Sequence, residues 1–379
     1  MTEHRFPVLM IVVGFGLLAA GGELLVRGAS RLAAAAGISP LVIGLTVVAL
    51  GTSAPEMAVT LQASLRGQSD LAVGNVVGSN ICKVLLILGL SALAAPLAVS
   101  GRLVRFDVPL MIAASVAVFV LGMDGRFGRA DGAVLFAGLV GYVVWNVAKS
   151  RSESREARCE RENGHGTARA SRSREVGGHA LLVVAGLVLL TVGSNWLVLG
   201  ASAIARMLGV GELLIGLTIV AAGTSLPELA TSVVASLRGE RDIAVGNVIG
   251  SNLFNILAVL GLSALLAPDG IAVSRAAIEL DIPVMIAVAV ACFPIFLAGH
   301  RVGRWEGGLL FAGYLGYEAY RILEATNEHA SRALGQVMLG VAVPFVIATL
   351  AFNTIRTIRR PAAPTGDNPL GPGQAPPPA

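Results

Sequence analysis

The chain has 379 residues, 55% of them hydrophobic and only 14% charged, with a mean hydropathy of +0.76 and a formal net charge of +4. Soluble domains carry about 25% charged residues, so this composition excludes an ordinary soluble globule and indicates a polytopic membrane protein. The positive charge lies between apolar runs, which makes nucleic acid a poor partner, and Cys82, Cys159 and Cys292 are too scattered for a disulfide framework or a zinc site.

Apolar runs long enough to cross a bilayer fall near residues 7–26, 40–65, 70–95, 106–122, 131–149, 179–200, 211–237, 242–267, 279–298, 307–321 and 334–355. The first run carries no convincing cleavage signal. The pattern predicts an all-α fold of eleven helices, grouped as five, five and one. The corresponding organisation is a first unit over 1–149, a basic cytoplasmic linker over 150–178, a second unit over 179–323, an extra transmembrane helix over 334–356 and a disordered Pro/Gly-rich tail over 361–379. The linker carries no Asp, which speaks against a calcium-sensing loop and for a solvated connector.

Lys and Arg fix the expected orientation. With the N-terminus outside and the linker in the cytoplasm, nineteen of these residues fall in cytoplasmic segments and eight outside; the remaining one, Lys83, is inside a helix. Arg356, Arg359 and Arg360 independently place the C-terminus in the cytoplasm.

The chain is organised by an internal repeat. Residues 44–93 (GLTVVALGTSAPE … GNVVGSNICKVLLILGLSAL) match residues 216–265 (GLTIVAAGTSLPE … GNVIGSNLFNILAVLGLSAL) at a constant offset of 172, with 32 of 50 positions identical. Further echoes, FDVPLMIA at 106–113 with LDIPVMIA at 280–287, extend the repeat over five helices. Five is odd, so the second half must insert upside down relative to the first. An inverted repeat in an apolar chain marks a transporter with its site where the halves meet.

Each copy carries one Glu, Glu56 or Glu228, in an otherwise almost uncharged apolar run. An ionisable residue at membrane depth is costly and by default marks an ion pathway. In GTSAPE, Pro55 has no N–H to give to the carbonyl of Gly51, so the helix is expected to break there. Carbonyls freed at membrane depth need another partner, such as a cation. Thr52 and Ser53 precede Glu56 by four and three residues, and Thr224 and Ser225 stand likewise before Glu228, which gathers hydroxyl, carboxylate and carbonyl oxygens. The next helix adds Asn75, Ser79 and Lys83 in one half and Asn247, Ser251 and Asn255 in the other. Hard cations such as calcium take six to eight oxygens, which this inventory supplies. The motifs hold no His or Cys, which disfavours softer metals. Taken singly, each motif has a bland alternative: a Pro-kinked packing helix for GTSxPE, and close packing through Gly74, Gly78, Gly246 and Gly250 for GNVxGSN.

GTSxPE followed by GNVxGSN, twice and inverted, strongly resembles the cation/calcium exchanger superfamily, in particular the prokaryotic sodium/calcium exchangers, over about residues 7–323. The resemblance implies a ten-helix core that swaps sodium for calcium by alternating access, with no cofactor beyond the transported ions. It places the ligands on the Ala49 carbonyl, Thr52, Ser53, Glu56 and Ser79, and on the Ala221 carbonyl, Thr224, Ser225, Glu228 and Ser251. It also implies that the first two helices of the core slide against the rest.

One departure stands out. In the fourth place after the motif Ser, where the family usually has Asn or Asp, this chain has Lys83 in the first half and Asn255 in the second. Three readings of Lys83 stand open: it turns away and pairs or snorkels elsewhere; it acts as a tethered cation in a position sodium would otherwise take; or it titrates and couples protons to transport. Glu23, whose counterpart is Asn195, has two readings, facing a cavity or lying beside Arg27 near the cytoplasmic surface, and the second is the one expected. Sodium-driven calcium extrusion across a bacterial inner membrane leads, with cation/proton antiport as the nearest alternative. A passive channel does not need the inverted carboxylate-bearing pairs. An intramembrane hydrolase lacks its machinery, since His4, His165, His179, His300 and His329 all lie outside the motif helices. The oligomeric state is not legible.

Overall fold

The computed structural model describes residues 6–36, 38–161, 172–211, 215, 219, 221–297, 299–326 and 334–336. Ten helical spans follow one another: α1 (Pro7–Ala36), α2 (Pro40–Thr52 and Ala54–Leu65), α3 (Ser69–Ala94), α4 (Leu103–Gly122), α5 (Arg129–Arg161), α6 (Arg172–Met207), α7 (Ala221–Gly223 and Leu226–Leu237), α8 (Arg241–Leu266), α9 (Ala277–Leu297) and α10 (Arg304–Thr326). They correspond to the first ten apolar runs. The predicted eleventh helix and the tail lie outside the described residues except for 334–336.

Helix extends into the predicted linker from both sides. Helix continues through its first part to Arg161 and resumes at Arg172. Arg and Glu, both good helix formers, supply ten of the nineteen helical residues there, so the change to polar residues ends the membrane-spanning pattern without ending the helix.

Two short ladders display the inversion directly. β1 (Leu97–Ala98), between α3 and α4, pairs with β4 (Arg301–Val302), between α9 and α10. β2 (Arg126–Phe127), between α4 and α5, pairs with β3 (Ile271–Ala272), between α8 and α9. The repeat-equivalent α3–α4 and α8–α9 connections therefore sit at opposite ends of the bundle. Within each half an Asp, buried at position 107 and half-buried at 281, is pinned by a Tyr: Tyr142 donates to Asp107 and Tyr317 to Asp281, each at 3.0 Å, tying α4 to α5 and α9 to α10.

The helices α3 and α8 form the buried centre, while α1, α5 and α6 turn apolar side chains such as Val12, Phe15, Val134, Val144, Leu181 and Val188 outward. Such a surface suits lipid, whereas in water it would be an aggregation patch. Where the family resemblance implies motion of the first two helices together, α1 packs chiefly along α6. The seam is glycine at seven-residue intervals: Gly14 faces Gly193, Gly21 faces Gly186, and Gly200 faces Pro7. A Cβ at Gly186 would lie 2.6 Å from the Leu25 nitrogen and 2.8 Å from the Gly21 carbonyl oxygen. In lipid, such small-residue contacts replace the hydrophobic drive for helix association.

Gly186→Leu is therefore expected to separate α1 from α6 at a cost of about 1–3 kcal/mol, seen as a lower thermal midpoint in detergent. Gly16→Leu on the partner helix α1, where a Cβ meets nothing within 4 Å, should leave the midpoint unchanged.

Candidate ion-binding site

The break predicted from Pro55 is present. The two parts of α2 meet at 47°, with Ser53 at the corner (φ −80°, ψ 5°). Ser225 takes the same conformation in α7 (φ −93°, ψ 7°). The breaks deliver Glu56 and Glu228 to the centre of the bundle, both without solvent exposure. The halves then cross over: Ser53 donates to Glu228 Oε1 at 3.2 Å, and Ser225 donates to Glu56 Oε1 at 3.1 Å. A hydroxyl three residues before one Glu thus serves the Glu of the other half, and a single site forms from two copies of the motif.

The asparagines of α3 and α8 brace these breaks. Asn75 donates to the Glu56 carbonyl at 3.2 Å and to Thr60 Oγ1 at 2.8 Å. Asn247 repeats this with the Glu228 carbonyl at 3.4 Å and Ser232 Oγ at 3.0 Å. Thr52 turns its hydroxyl to the Val48 carbonyl (3.1 Å) and Asn247 Oδ1 (3.2 Å), away from its own Glu. The Ala49 carbonyl accepts the Ser53 N–H at 3.1 Å. Ala221 opens the short helical piece Ala221–Gly223, and Thr224 follows it half-buried at the break.

Ser79 is buried on α3 one turn before Lys83. Ser251 donates its hydroxyl to Val248 within α8 at 3.2 Å, so its carbonyl rather than its hydroxyl faces the centre. Lys83 and Asn255 each open a π-helical turn, Lys83–Leu88 and Asn255–Leu260. Such widened turns recur at functional positions because they rotate one side chain out of register.

Lys83 does not turn away. Its ammonium is fully buried, 3.2 Å from Glu228 Oε1, 3.5 Å from Glu56 Oε1, 3.2 Å from Ser53 Oγ and 3.5 Å from the Ser251 carbonyl. That geometry overturns the snorkelling reading. Two carboxylates and one ammonium give the centre a formal charge of −1. The second oxygen of each Glu and both amide atoms of Asn255 are buried without a protein partner. Unpaired buried acceptors are expensive, and their convergence here fits a site that receives a cation.

The freed carbonyls are settled less symmetrically than the sequence suggests. The Gly223 carbonyl, which loses its helical partner to Pro227, accepts a 2.5 Å hydrogen bond from Ser194 of α6. No cation is needed there. The equivalent of Ser194 is Gly22, so the sequence signal was a hydroxyl present in only one half. The packing alternative for the GNVxGSN motif also holds in the second half. A Cβ at Gly250 would approach the Leu45 carbonyl at 2.7 Å and at Gly246 the Leu41 carbonyl at 3.0 Å. The partners that symmetry assigns to Gly74 and Gly78 lie among 213–221, mostly outside the described residues.

The ends of the site are unequal. At the end holding the α7–α8 turn, Ser236 donates to the carbonyls of Ser91 (2.8 Å) and Ala95 (3.0 Å), and Ser30 donates to Glu240 (2.6 Å). Glu23 pairs there with Arg27 and with Arg238, as its expected place beside Arg27 required. At the opposite end, the equivalent Ser64 folds back on the Thr60 carbonyl, and the hydroxyl of Ser202, the equivalent of Ser30, is buried without a partner.

Known proteins resemble this chain over most of its length. The family model described as "Sodium/calcium exchanger protein" matches residues 6–148 and 178–323. The putative antiporter CaxA of Alkalimonas amylolytica is 39% identical over 82% of this chain and 97% of its own length. The inner membrane protein YrbG of Escherichia coli is 39% identical over 81% of this chain and 94% of its own. The sodium/calcium exchanger MaX1 of Methanosarcina acetivorans is 32% identical over 82% and 96%. Among solved structures, the sodium-calcium exchanger NCX_Mj soaked with sodium and strontium superposes with a TM-score of 0.71 at 30% identity, covering 86% of this chain and 99% of that one. Two inverted five-helix repeats, joined at a central pair of carboxylates, thus make this chain an integral membrane transporter that belongs to the sodium/calcium exchanger family.

Proposed function

We propose that the protein is a secondary antiporter that extrudes calcium in exchange for sodium by alternating access. The observation that carries this reading is the crossed pair Ser53–Glu228 and Ser225–Glu56, which makes one carboxylate-bearing site from both inverted halves. Each Glu keeps one buried oxygen without a protein partner, and a hard cation is the ligand that such oxygens favour. The ligand set we assign is the Ala49 carbonyl, Thr52, Ser53, Glu56 and Ser79 with the Ala221 carbonyl, Thr224, Ser225, Glu228, Ser251 and Asn255.

Alternating access is supported by the unequal ends. Serine and ion-pair contacts hold the α7–α8 end, while the equivalent contacts at the other end are unmade. Inverted halves built on the same repeated motif can exchange these two arrangements, closing one end as the other opens. The α1–α6 pair is the unit we assign to that motion, since its glycine seam binds the two helices as one body.

The distribution of Lys and Arg supports the N-terminus outside and the C-terminus in the cytoplasm, and a relative named as an inner membrane protein supports a bacterial inner membrane. We keep the sequence-derived organisation for the remainder: units 1–149 and 179–323, a cytoplasmic connection over 150–178, an eleventh helix at 334–356 and a polar tail at 361–379. A second reading, calcium/proton antiport, rests on Lys83, whose ammonium between two carboxylates is a group through which a proton could enter the cycle.

Everted vesicles holding the purified protein and loaded with sodium should take up calcium when an outward sodium gradient is imposed with pH clamped on both sides. Uptake that follows a pH gradient and ignores sodium would select the proton reading. Absence of uptake under either gradient would overturn both. Glu56→Gln and Glu228→Gln each remove one of the two site carboxylates and should lower calcium affinity at least about tenfold, because charge count sets the affinity of oxygen sites. Ser194→Ala leaves the Gly223 carbonyl unpaired and should cost about 1–3 kcal/mol of stability, read as a lower thermal midpoint, with calcium affinity changed less than by either Glu substitution.

A further inference from the structure

The ammonium of Lys83 is held by four oxygens contributed by three other spans: Ser53 and Glu56 on α2, Glu228 on α7 and the Ser251 carbonyl on α8, all between 3.2 and 3.5 Å. A sodium ion bound at this point would draw on the same oxygens. The repeat-equivalent position is treated in the opposite way. Asn255 is equally buried, yet both of its amide atoms lack partners. One side of the pseudo-symmetric centre is therefore filled by a covalently attached cation, and the other is left with an unpaired amide whose Oδ1 is free to accept.

The carboxylates divide in the same manner. Oε1 of each Glu lies against the ammonium, and Oε2 of each is buried and unpartnered. In a low-dielectric centre, uncompensated charge is the dominant cost of occupancy. Two carboxylates alone are neutralised by one calcium or by two sodium ions; with the ammonium in place, one sodium neutralises the centre and one calcium leaves it at +1.

We propose that Lys83 is a built-in counter-ion of the transport site, occupying one monovalent-cation position and lowering by one the number of sodium ions that exchange for each calcium. The proposal rests on the sodium/calcium reading of the site. It makes position 83 a determinant of coupling ratio, and it explains why the lysine sits at the centre while the equivalent Asn255 keeps its amide oxygen unpaired.

The test uses the full chain in detergent and in proteoliposomes, as the parent, Lys83→Asn (the residue found in the other half), Lys83→Gln and Lys83→Arg. Radioactive calcium bound to the solubilised protein is displaced with sodium at fixed pH. The Hill slope of displacement should rise by about one in Lys83→Asn and Lys83→Gln and stay at the parent value in Lys83→Arg. In proteoliposomes, the reversal potential under set sodium and calcium gradients should give one more sodium per calcium for Lys83→Asn than for the parent. Lys83→Gln guards against a folding defect peculiar to Asn, and thermal midpoints report folding separately. Equal slopes and equal ratios in all four proteins would mean that the lysine only pins the helices together, and would overturn the proposal. Release of one proton per calcium bound, in the parent but not in Lys83→Asn, would overturn it too, since the lysine would then lose its charge rather than hold a cation's place. If no form transports calcium, the exchange reading falls, while the slopes of displacement still decide the role of Lys83.

Discussion

The structure depends on one constraint: three ionisable groups, Glu56, Glu228 and Lys83, are buried without solvent at the centre of an apolar bundle. A buried charge is tolerated only when paired and hydrogen-bonded, and each local feature around the centre meets that demand. The Pro breaks bring the carboxylates inward, the corner serines donate across to the opposite half, and Asn75 and Asn247 hold the carbonyls of the two glutamates. No single half completes the arrangement. A carboxylate from one repeat is answered by a hydroxyl from the other, so the site exists only when the halves are assembled.

Compensation at the centre is incomplete, and that incompleteness is what makes it a site rather than a structural ion cluster. A cluster selected for stability would leave no acceptor unpaired. Here one oxygen of each carboxylate and the whole amide of Asn255 lack protein partners. The same logic separates the two ends of the bundle. Contacts made around Ser236, Ser30 and Glu23 have equivalents in the other half that are unmade or chemically different, Glu23 being replaced by Asn195 and Glu240 by Gln68. The repeats are alike, with 32 of 50 motif positions identical, and these substitutions make their two ends chemically unequal.

Much of the fold was legible from the sequence because the bilayer imposes a simple grammar. Spanning runs, an odd number per repeat and the bias of basic residues led to ten of the helices and to their inversion, which the cross-paired ladders display. The sequence also singled out both carboxylates, both corner serines and Lys83. It did so because an acid or an ammonium in an apolar run has no inexpensive explanation, and because a repeated Pro-broken motif is improbable as packing alone. Other features carried no such signal. Ser194 is one hydroxyl among many, and its role emerges only from its 2.5 Å contact with the Gly223 carbonyl. The pairing of α1 with α6 was missed because the glycines that form the seam, at 14, 21, 186, 193 and 200, resemble the many others in the chain.

By itself the sequence determined the membrane class, the two inverted repeats and the chemical types gathered at the centre, because burial in lipid restricts which residues can occur and with what periodicity. Only the tertiary structure decided how those residues are shared. It crossed each serine to the opposite glutamate, set Thr52 against Asn247, turned the Ser251 carbonyl inward and placed the Lys83 ammonium between the two carboxylates. Spacing along a helix fixes the face on which a side chain lies. What that face meets is set by the approach of another helix, and here the decisive approaches are between halves about 170 residues apart in the chain.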